Sequence, residues 1–347
     1  MRVWRAISLF LLAGACIAQS RDDAFNKLAD RFFDEVLFKY DPAQGTAVGF
    51  HQYDTNLAAM SAADIASQTA ALHKFEQEVE AFGAAGLSAG EAADRDLLLA
   101  QIRGQLLTLE VVRPWEKNPD VYSSGVSNAI FLIMSRSFAP PETRLKSVIA
   151  REKLVPRLFQ SARDNLKNPP RVYTEVAAEQ MPGIVSFFQN DVPSAFKAVS
   201  DPALLAEFAK TNQGVIDALK SYEAWMKSDL LPRSNGEFRI GADTYRKKLL
   251  YDEMVEIPLD RLLEIGRANL RRNQEEFKRV AALVDKTRTA EEILNESLLD
   301  HPAGGQLLQS FRDVLSGLRE FVETRKIVTI PSKVPPIVQE TPPSCAR

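Results

Sequence analysis

Apolar residues recur along most of this chain at intervals of three and four, the period that gathers them on one face of an α-helix. Over residues 22–40 the recurring positions are Phe25, Leu28, Phe32 and Val36, and Asp41-Pro42 ends the run. Ser61 stands where a helix cap belongs, ahead of Ile65, Leu72, Phe75, Val79 and Phe82, and Gly83 to Gly86 closes that helix. Ser88 followed by Glu91 reads as a capping box for the next helix, which carries Leu98, Ile102, Leu106 and Leu109 on one side. The short glycine-containing turn between these two helices predicts an antiparallel pair.

Beyond residue 114 the pattern changes. Residues 123–138 hold Ile130, Phe131, Leu132, Ile133 and Met134 in succession, apolar all round, which predicts a helix inside the bundle. Pro140 and Pro141 start another that continues to Leu166, with a kink at Pro156, and the helix from Val172 is disturbed at Pro182-Gly183. Asp201-Pro202 opens a long helix with Leu205, Phe208, Ile216, Leu219, Tyr222 and Trp225 inward. Residues 260–284 are strongly amphipathic, Thr289 and Glu292 cap a further helix, and residues 306–325 turn Leu307, Leu308, Phe311, Leu315, Leu318 and Val322 inward. Strand signals are confined to residues 238–240 and 327–330. The fold class is mostly α, an irregular multi-helix bundle with a Pro-rich extended C-terminal tail.

Residues 238–258 separate the long helices. Gly241 reads as a bend, and residues 242–254 as a helix with Tyr245, Leu249 and Leu250 on one stripe and Arg246, Lys247 and Lys248 elsewhere. Periodicity alone makes this an ordinary amphipathic helix; an aromatic on one side and cations on the other also suit the wall of a cleft.

Composition narrows the class. The 347 residues are 45% hydrophobic and 26% charged, ordinary for a soluble globular protein, and the net charge of -3 gives no case for nucleic acid. Arg2 and Arg5, an apolar run from Ala6 to Ala15 and small residues at the cleavage positions predict a signal peptide over residues 1–18, hence export to the periplasm or beyond the cell. The weaker alternative makes Cys16 a lipidation site, which alone would give the product a membrane partner. The expected organisation is this signal, a helical domain over 19–330, and a tail over 331–347. In the tail Pro331, Pro335, Pro336, Pro342 and Pro343 forbid a helix. Cleavage after Ala18 would leave Cys345 as the one thiol, with no internal disulfide.

No stretch supplies a complete catalytic constellation. Gly125-Val126-Ser127-Asn128-Ala129 lacks the second glycine of a nucleophile elbow and has no strand before it. Neither the phosphate-cradling nor the dinucleotide glycine motif occurs. His51, His73 and His301 are scattered, none with a second histidine at the spacing that puts two imidazoles on one helical face. His51, Tyr53 and Asp54 lie close together and mark either a site edge or a satisfied structural histidine. Glu275-Glu276 and Glu291-Glu292 read as solvated pairs.

Four landmarks, YDPAQGTAVGFHQYD, RLKSVIAREKLVPRLFQSARDNL, YEAWMKSDLLPRSNGEFRIGADTYRKKL and LREFVETRKIVTIPSKVPPIVQETPP, occur in an order that resembles the bacterial domain-of-unknown-function 885 family. The resemblance covers nearly all of the chain after the signal. It implies a helical, often exported, zinc-peptidase-like protein whose H-E-x-x-H helix follows the Pro-rich tail. No residue here matches those ligands or the glutamate base, so no catalytic, cofactor or metal residue is carried over, and zinc is expected only in full-length relatives. The resulting expectation is an exported, truncated N-terminal part of a metallopeptidase-like hydrolase, inactive alone. Peptide is its possible partner and Arg239, Tyr245 and Arg246 are the candidate peptide contacts. The alternative is a complete secreted helical binding module without enzymatic activity.

Overall fold

The computed structural model describes residues 21–338 and 340, and among them the chain is helical with no strand. The expected signal peptide, both cysteines, Pro342 and Pro343 lie outside the described residues. The chain divides into two compact units, Met1–Glu256 and Ile257–Arg347, within the stretch that periodicity reads as one helical domain.

The first unit begins with helix α1 (residues 21–40), whose middle, Phe33–Leu37, widens into a π-helical segment. The connector after Tyr40, residues 41–54, is itself partly helical. Asp41 accepts a hydrogen bond from the Gln44 backbone N–H at 3.1 Å and Pro42 occupies the first turn, which together start α2 (Pro42–Ala47). A 3₁₀ turn, His51–Tyr53, follows. Helix α3 (Ala62–Phe82) opens on a reciprocal Ser61–Asp64 capping box and closes at Gly83, whose φ of 65° suits glycine. Ser88 caps α4 (Ala89–Leu106), which runs on into a π-helical segment, Leu107–Val112. The expected apolar faces of α1, α3 and α4 meet in one core, with Phe25, Phe32, Leu72, Phe75, Val79 and Ile102 almost fully buried.

A second core joins α5 (Asp120–Met134), α6 (Pro141–Glu152), α7 (Val155–Asn165), α8 (Arg171–Ser186) and α9 (Pro202–Trp225). Tyr122, Val126, Ile130, Phe159, Phe188 and Tyr222 are among its buried side chains. Two proline expectations change. At Pro156 the chain breaks into two helices instead of bending one, because a proline in the first turn of α7 has no hydrogen bond to lose. At Pro182 the helix continues to Ser186. Pro182 is on the solvent side, while Met181, Ile184 and Val185 hold the other side in the core.

Helix α10 (Ala242–Glu253) ends the first unit, entered through Gly241 at φ 80°. Residues 238–240 are not a strand: no neighbouring backbone pairs with them, and Phe238 is 53% exposed. The expected stripe of α10 is only partly buried, with Leu249 and Leu250 half-covered and Tyr245 exposed. The close approach is made by its last turn, where Tyr251 and Asp252 lie over Gly104 of α4.

The second unit comprises α11 (Leu259–Val284), α12 (Ala290–Ser297) with its Thr289–Glu292 capping box, and α13 (Leu307–Arg325). Its helices form where periodicity predicts them, but its inward positions are not enclosed within the unit. Ala281 is the one buried apolar side chain among its described residues. Residues 327–330 carry no strand either. The tail turns back along α13, where Arg319 donates to the Ser332 and Lys333 carbonyls at 3.2 and 3.4 Å and Arg312 to the Val338 carbonyl at 3.4 Å.

Between α6 and α9 one carboxyl is sealed in. Glu152 is 1% exposed; the Thr211 hydroxyl donates to its Oε2, and its Oε1 has no partner among the described residues. Burial pushes its pKa up to about 8, so it is mainly neutral at pH 7. Because the folded chain holds this proton and the unfolded chain releases it near the ordinary carboxylate pKa, stability declines as pH rises through the window up to about 8. Glu152→Gln is expected to raise the melting temperature at pH 8–9, a gain of roughly 1–3 kcal/mol. The gain should shrink toward zero near pH 4.5, the ordinary carboxylate value. Thermal melts of both proteins across pH check this; a gain that does not change with pH would contradict it.

Candidate functional site

The connector is anchored from below by a buried cation. Arg151 on α6 is fully buried and donates from Nε to the Asn56 carbonyl at 2.8 Å and from Nη1 to the Ala129 carbonyl at 2.5 Å. Its Nη2 reaches Thr46 Oγ1 at 2.7 Å and the Pro42 and Tyr53 carbonyls at 3.3 and 3.4 Å. Thr46 passes the charge on, donating to buried Asp54 Oδ1 at 2.6 Å, and Asp54 Oδ2 meets His51 Nδ1 at 3.1 Å. The His51 ring stacks on Phe138 with centroids 3.8 Å apart. Burial lowers the Arg151 pKa to about 10, opposed by Asp54 and Asp41, so the guanidinium stays charged at neutral pH. His51, Tyr53 and Asp54 are thus brought together as structural partners of Arg151.

Above this anchor lies a groove of about 680 Å³. Asp41 and Gln44 of the connector form one side, Gln68 of α3 a second, and the stripe Leu97, Ala100, Gln101, Gly104, Gln105 and Thr108 the floor. Leu37, Leu109 and the end of α10, Tyr251, Asp252 and Met254, complete it. Two π-helical segments border the groove, one through Leu37 and the other through Thr108 and Leu109, a distortion that often accompanies functional sites. Gly104 lets the last turn of α10 come close: a Cβ there would lie 3.0 Å from Asp252 Oδ1. Met254 is left-handed at φ 53° and 52% exposed, a strained apolar residue on the lip.

The side chains of Gln44, Gln68, Gln101 and Gln105 make no hydrogen bond with other described residues. The carboxylates are more committed. Asp41 caps α2, and Asp252 pairs with Lys248. No arginine or lysine lines the groove, so it offers neutral donors and acceptors beside two carboxylates.

The three residues expected to contact peptide are elsewhere on the surface. Arg239 pairs with Glu237 at 3.5 Å and stacks over Phe238, Arg246 pairs with Asp243 at 2.7 Å, and Tyr245 is 44% exposed. The remaining histidines have local roles: His73 bridges Glu76 and Glu110 at 3.5 and 2.9 Å, its pKa raised mainly by the Glu110 hydrogen bond, and His301 contacts the Pro302 carbonyl at 3.0 Å. Among the described residues no three His, Cys, Asp or Glu side chains converge as a metal site, and no helix is long and apolar enough to cross a membrane.

The model of a family described as "bacterial protein of unknown function (DUF885)" matches residues 42–347. This chain belongs to the DUF885 family. The match begins at Pro42, whose carbonyl accepts from Arg151, so the DUF885 region takes in the whole of the anchor. Among solved structures, a chain described as "a putative lipoprotein of unknown function" from Shewanella oneidensis shares the fold, with a TM-score of 0.71 and 24% identity over 92% of this DUF885 chain. The match covers 60% of the neighbour, so the chain spans about 60% of the length of that structure. No curated protein matches.

Arg151→Met is expected to lower stability by roughly 3–5 kcal/mol, since the carbonyls and the Thr46 hydroxyl would remain without their donor and buried Asp54 without the neighbouring positive charge. Arg151→Lys recovers little, because an ammonium cannot present the same planar fork. Urea unfolding of the three proteins measures this; a lysine variant as stable as the parent would contradict it.

Proposed function

We propose that this DUF885 chain is the exported, non-catalytic part of a metallopeptidase-like protein, and that its second unit offers helical faces on which a further helical segment completes a hydrophobic core. The observation that carries this reading is on α13, where Leu307, Phe311, Val314, Leu318 and Phe321 follow a 4-3-4-3 spacing and are all about half exposed. On α11, Leu263, Leu270 and Phe277 repeat every seven residues in the same condition. Half-exposure of five large apolar side chains leaves on the order of 5 kcal/mol of burial unrealised on α13 alone. A face of that kind belongs to an interface.

The metallopeptidase-like element comes from the resemblance of the sequence landmarks, and the non-catalytic element from the separate engagements of His51, His73 and His301. Export is supported by the arginines and apolar run of the leader and agrees with the lipoprotein description of the Shewanella neighbour. Arg239, Tyr245 and Arg246 are the proposed peptide contacts. All three are exposed, and the arginines are paired only with surface carboxylates that a ligand can displace. A second reading, a self-sufficient secreted binding module, is favoured by the closed cores and the groove of the first unit.

An apolar-surface dye separates the two. The purified chain is expected to bind the dye strongly, and Phe311→Lys with Leu318→Lys is expected to reduce the signal by more than half without lowering the melting temperature. Absence of dye binding favours the self-sufficient module. The same preparation is expected to hold no stoichiometric zinc and to leave peptides intact; zinc at one per chain with chelator-sensitive hydrolysis overturns the non-catalytic reading.

A further inference from the structure

The groove of the first unit has chemistry of its own, independent of what covers the second. Carboxamides from three elements, Gln44 of α2, Gln68 of α3 and Gln101 and Gln105 of α4, converge on it and are not engaged by other described side chains. Each offers two donors and an acceptor in one plane. Tyr251 and the lip residue Met254 add an apolar surface beside them.

That combination excludes ligand classes in turn. Phosphates, nucleotides and carboxylates need cations, and the lining supplies two aspartates and no lysine or arginine. An extended peptide is held by main-chain hydrogen bonds at a sheet edge, whereas the walls here are helices, whose interior backbone groups pair within the helix, and the described residues contain no strand. A docking helix needs a continuous apolar trough, and glutamines interrupt this one. A polyproline ligand needs an aromatic-lined groove, and Tyr251 is the single aromatic in the lining. A hydroxyl group donates and accepts at the same time, as a carboxamide does, and a sugar ring adds a C–H face that packs on Tyr251 and Met254.

We propose that this groove binds a short neutral oligosaccharide, its hydroxyls taken edge-on by Gln44, Gln68, Gln101 and Gln105 and its ring face resting on Tyr251 and Met254.

The test is titration of the purified full chain, followed by NMR shift changes or calorimetry, with neutral trisaccharides of glucose and of N-acetylglucosamine and with a capped tetra-alanine peptide. Saturable binding of at least one trisaccharide at the groove is expected, with little or no peptide-induced shift of the groove residues. Gln44→Ala combined with Gln101→Ala is expected to weaken it at least tenfold, about one net hydrogen bond per side chain. Both glutamines are exposed, so the melting temperature should not move. No saturable binding by either trisaccharide at about 10 mM, roughly the limit of useful affinity, overturns the proposal. So does tighter binding of the peptide at the groove residues, or a double variant that binds as the parent does. None of these outcomes bears on the apolar faces of the second unit, so this proposal and the assembly reading fail separately.

Discussion

The first unit depends on one guanidinium that has been taken out of water. An isolated buried cation costs several kcal/mol, and Arg151 offsets that cost with hydrogen bonds to main-chain carbonyls of α2, of the turn after it and of α5, plus the Thr46 hydroxyl. No carboxylate touches it directly. Asp54 is one hydroxyl away, and Thr46 accepts from the arginine while donating to the aspartate, so the pair is neutralised through a bridge. The consequence is positional. A carbonyl bonded to a fixed guanidinium cannot move far, and the Pro42 and Tyr53 carbonyls belong to the connector that carries Asp41 and Gln44 to the groove.

Helix α6 repeats the device seven residues earlier. Arg144, 7% exposed, donates to the Ile133 and Met134 carbonyls at the end of α5, where a helix has no internal partners left, and to the Ala139 carbonyl in the loop before α6. The same helix therefore pins the connector with one arginine and the end of α5 with another. Two of the sequence landmarks that resemble the family, the connector and the α6 segment, meet at Arg151, so the resemblance rests partly on a packing solution.

Local chemistry made the helices legible in the sequence. Ser61, Ser88, Asp201 and Thr289 cap helices where their spacing indicates, although at Ser88 the backbone N–H goes to Asp22 and not to the Glu91 of the expected capping box, and the 3-4 apolar rows of α1, α3, α4 and α9 are the buried ones. What failed was non-local. The β-branched run at 327–330 has strand propensity but no partner strand, and propensity without pairing forms no sheet. Pro156 looks identical in sequence whether it kinks a helix or starts one. The groove was missed because its signal is a polar stripe on the face of α4 opposite the core: Gln101, Gly104, Gln105 and Thr108 repeat at helical spacing yet read as solvated surface. Only the last turn of α10 arriving over Gly104 turns that surface into a wall, and nothing local to α4 announces it.

The second unit marks the limit of periodicity in another way: it identifies an apolar face and leaves open what lies opposite. The width of the stripe on α13 narrows the answer. A two-stranded coiled coil needs only the seam formed by Leu307, Phe311, Val314, Leu318 and Phe321. Here Leu308, Leu315 and Val322 run beside that seam and are already half-covered, which widens the apolar sector to that of a helix set into a globular core. A single helix laid along α13 would cover the seam and leave the flank wet. On the reading proposed above, the partner of this face would be a layer of at least two helices, and α11, with Leu263, Leu270 and Phe277 on its own exposed row, presents a second surface of the same kind.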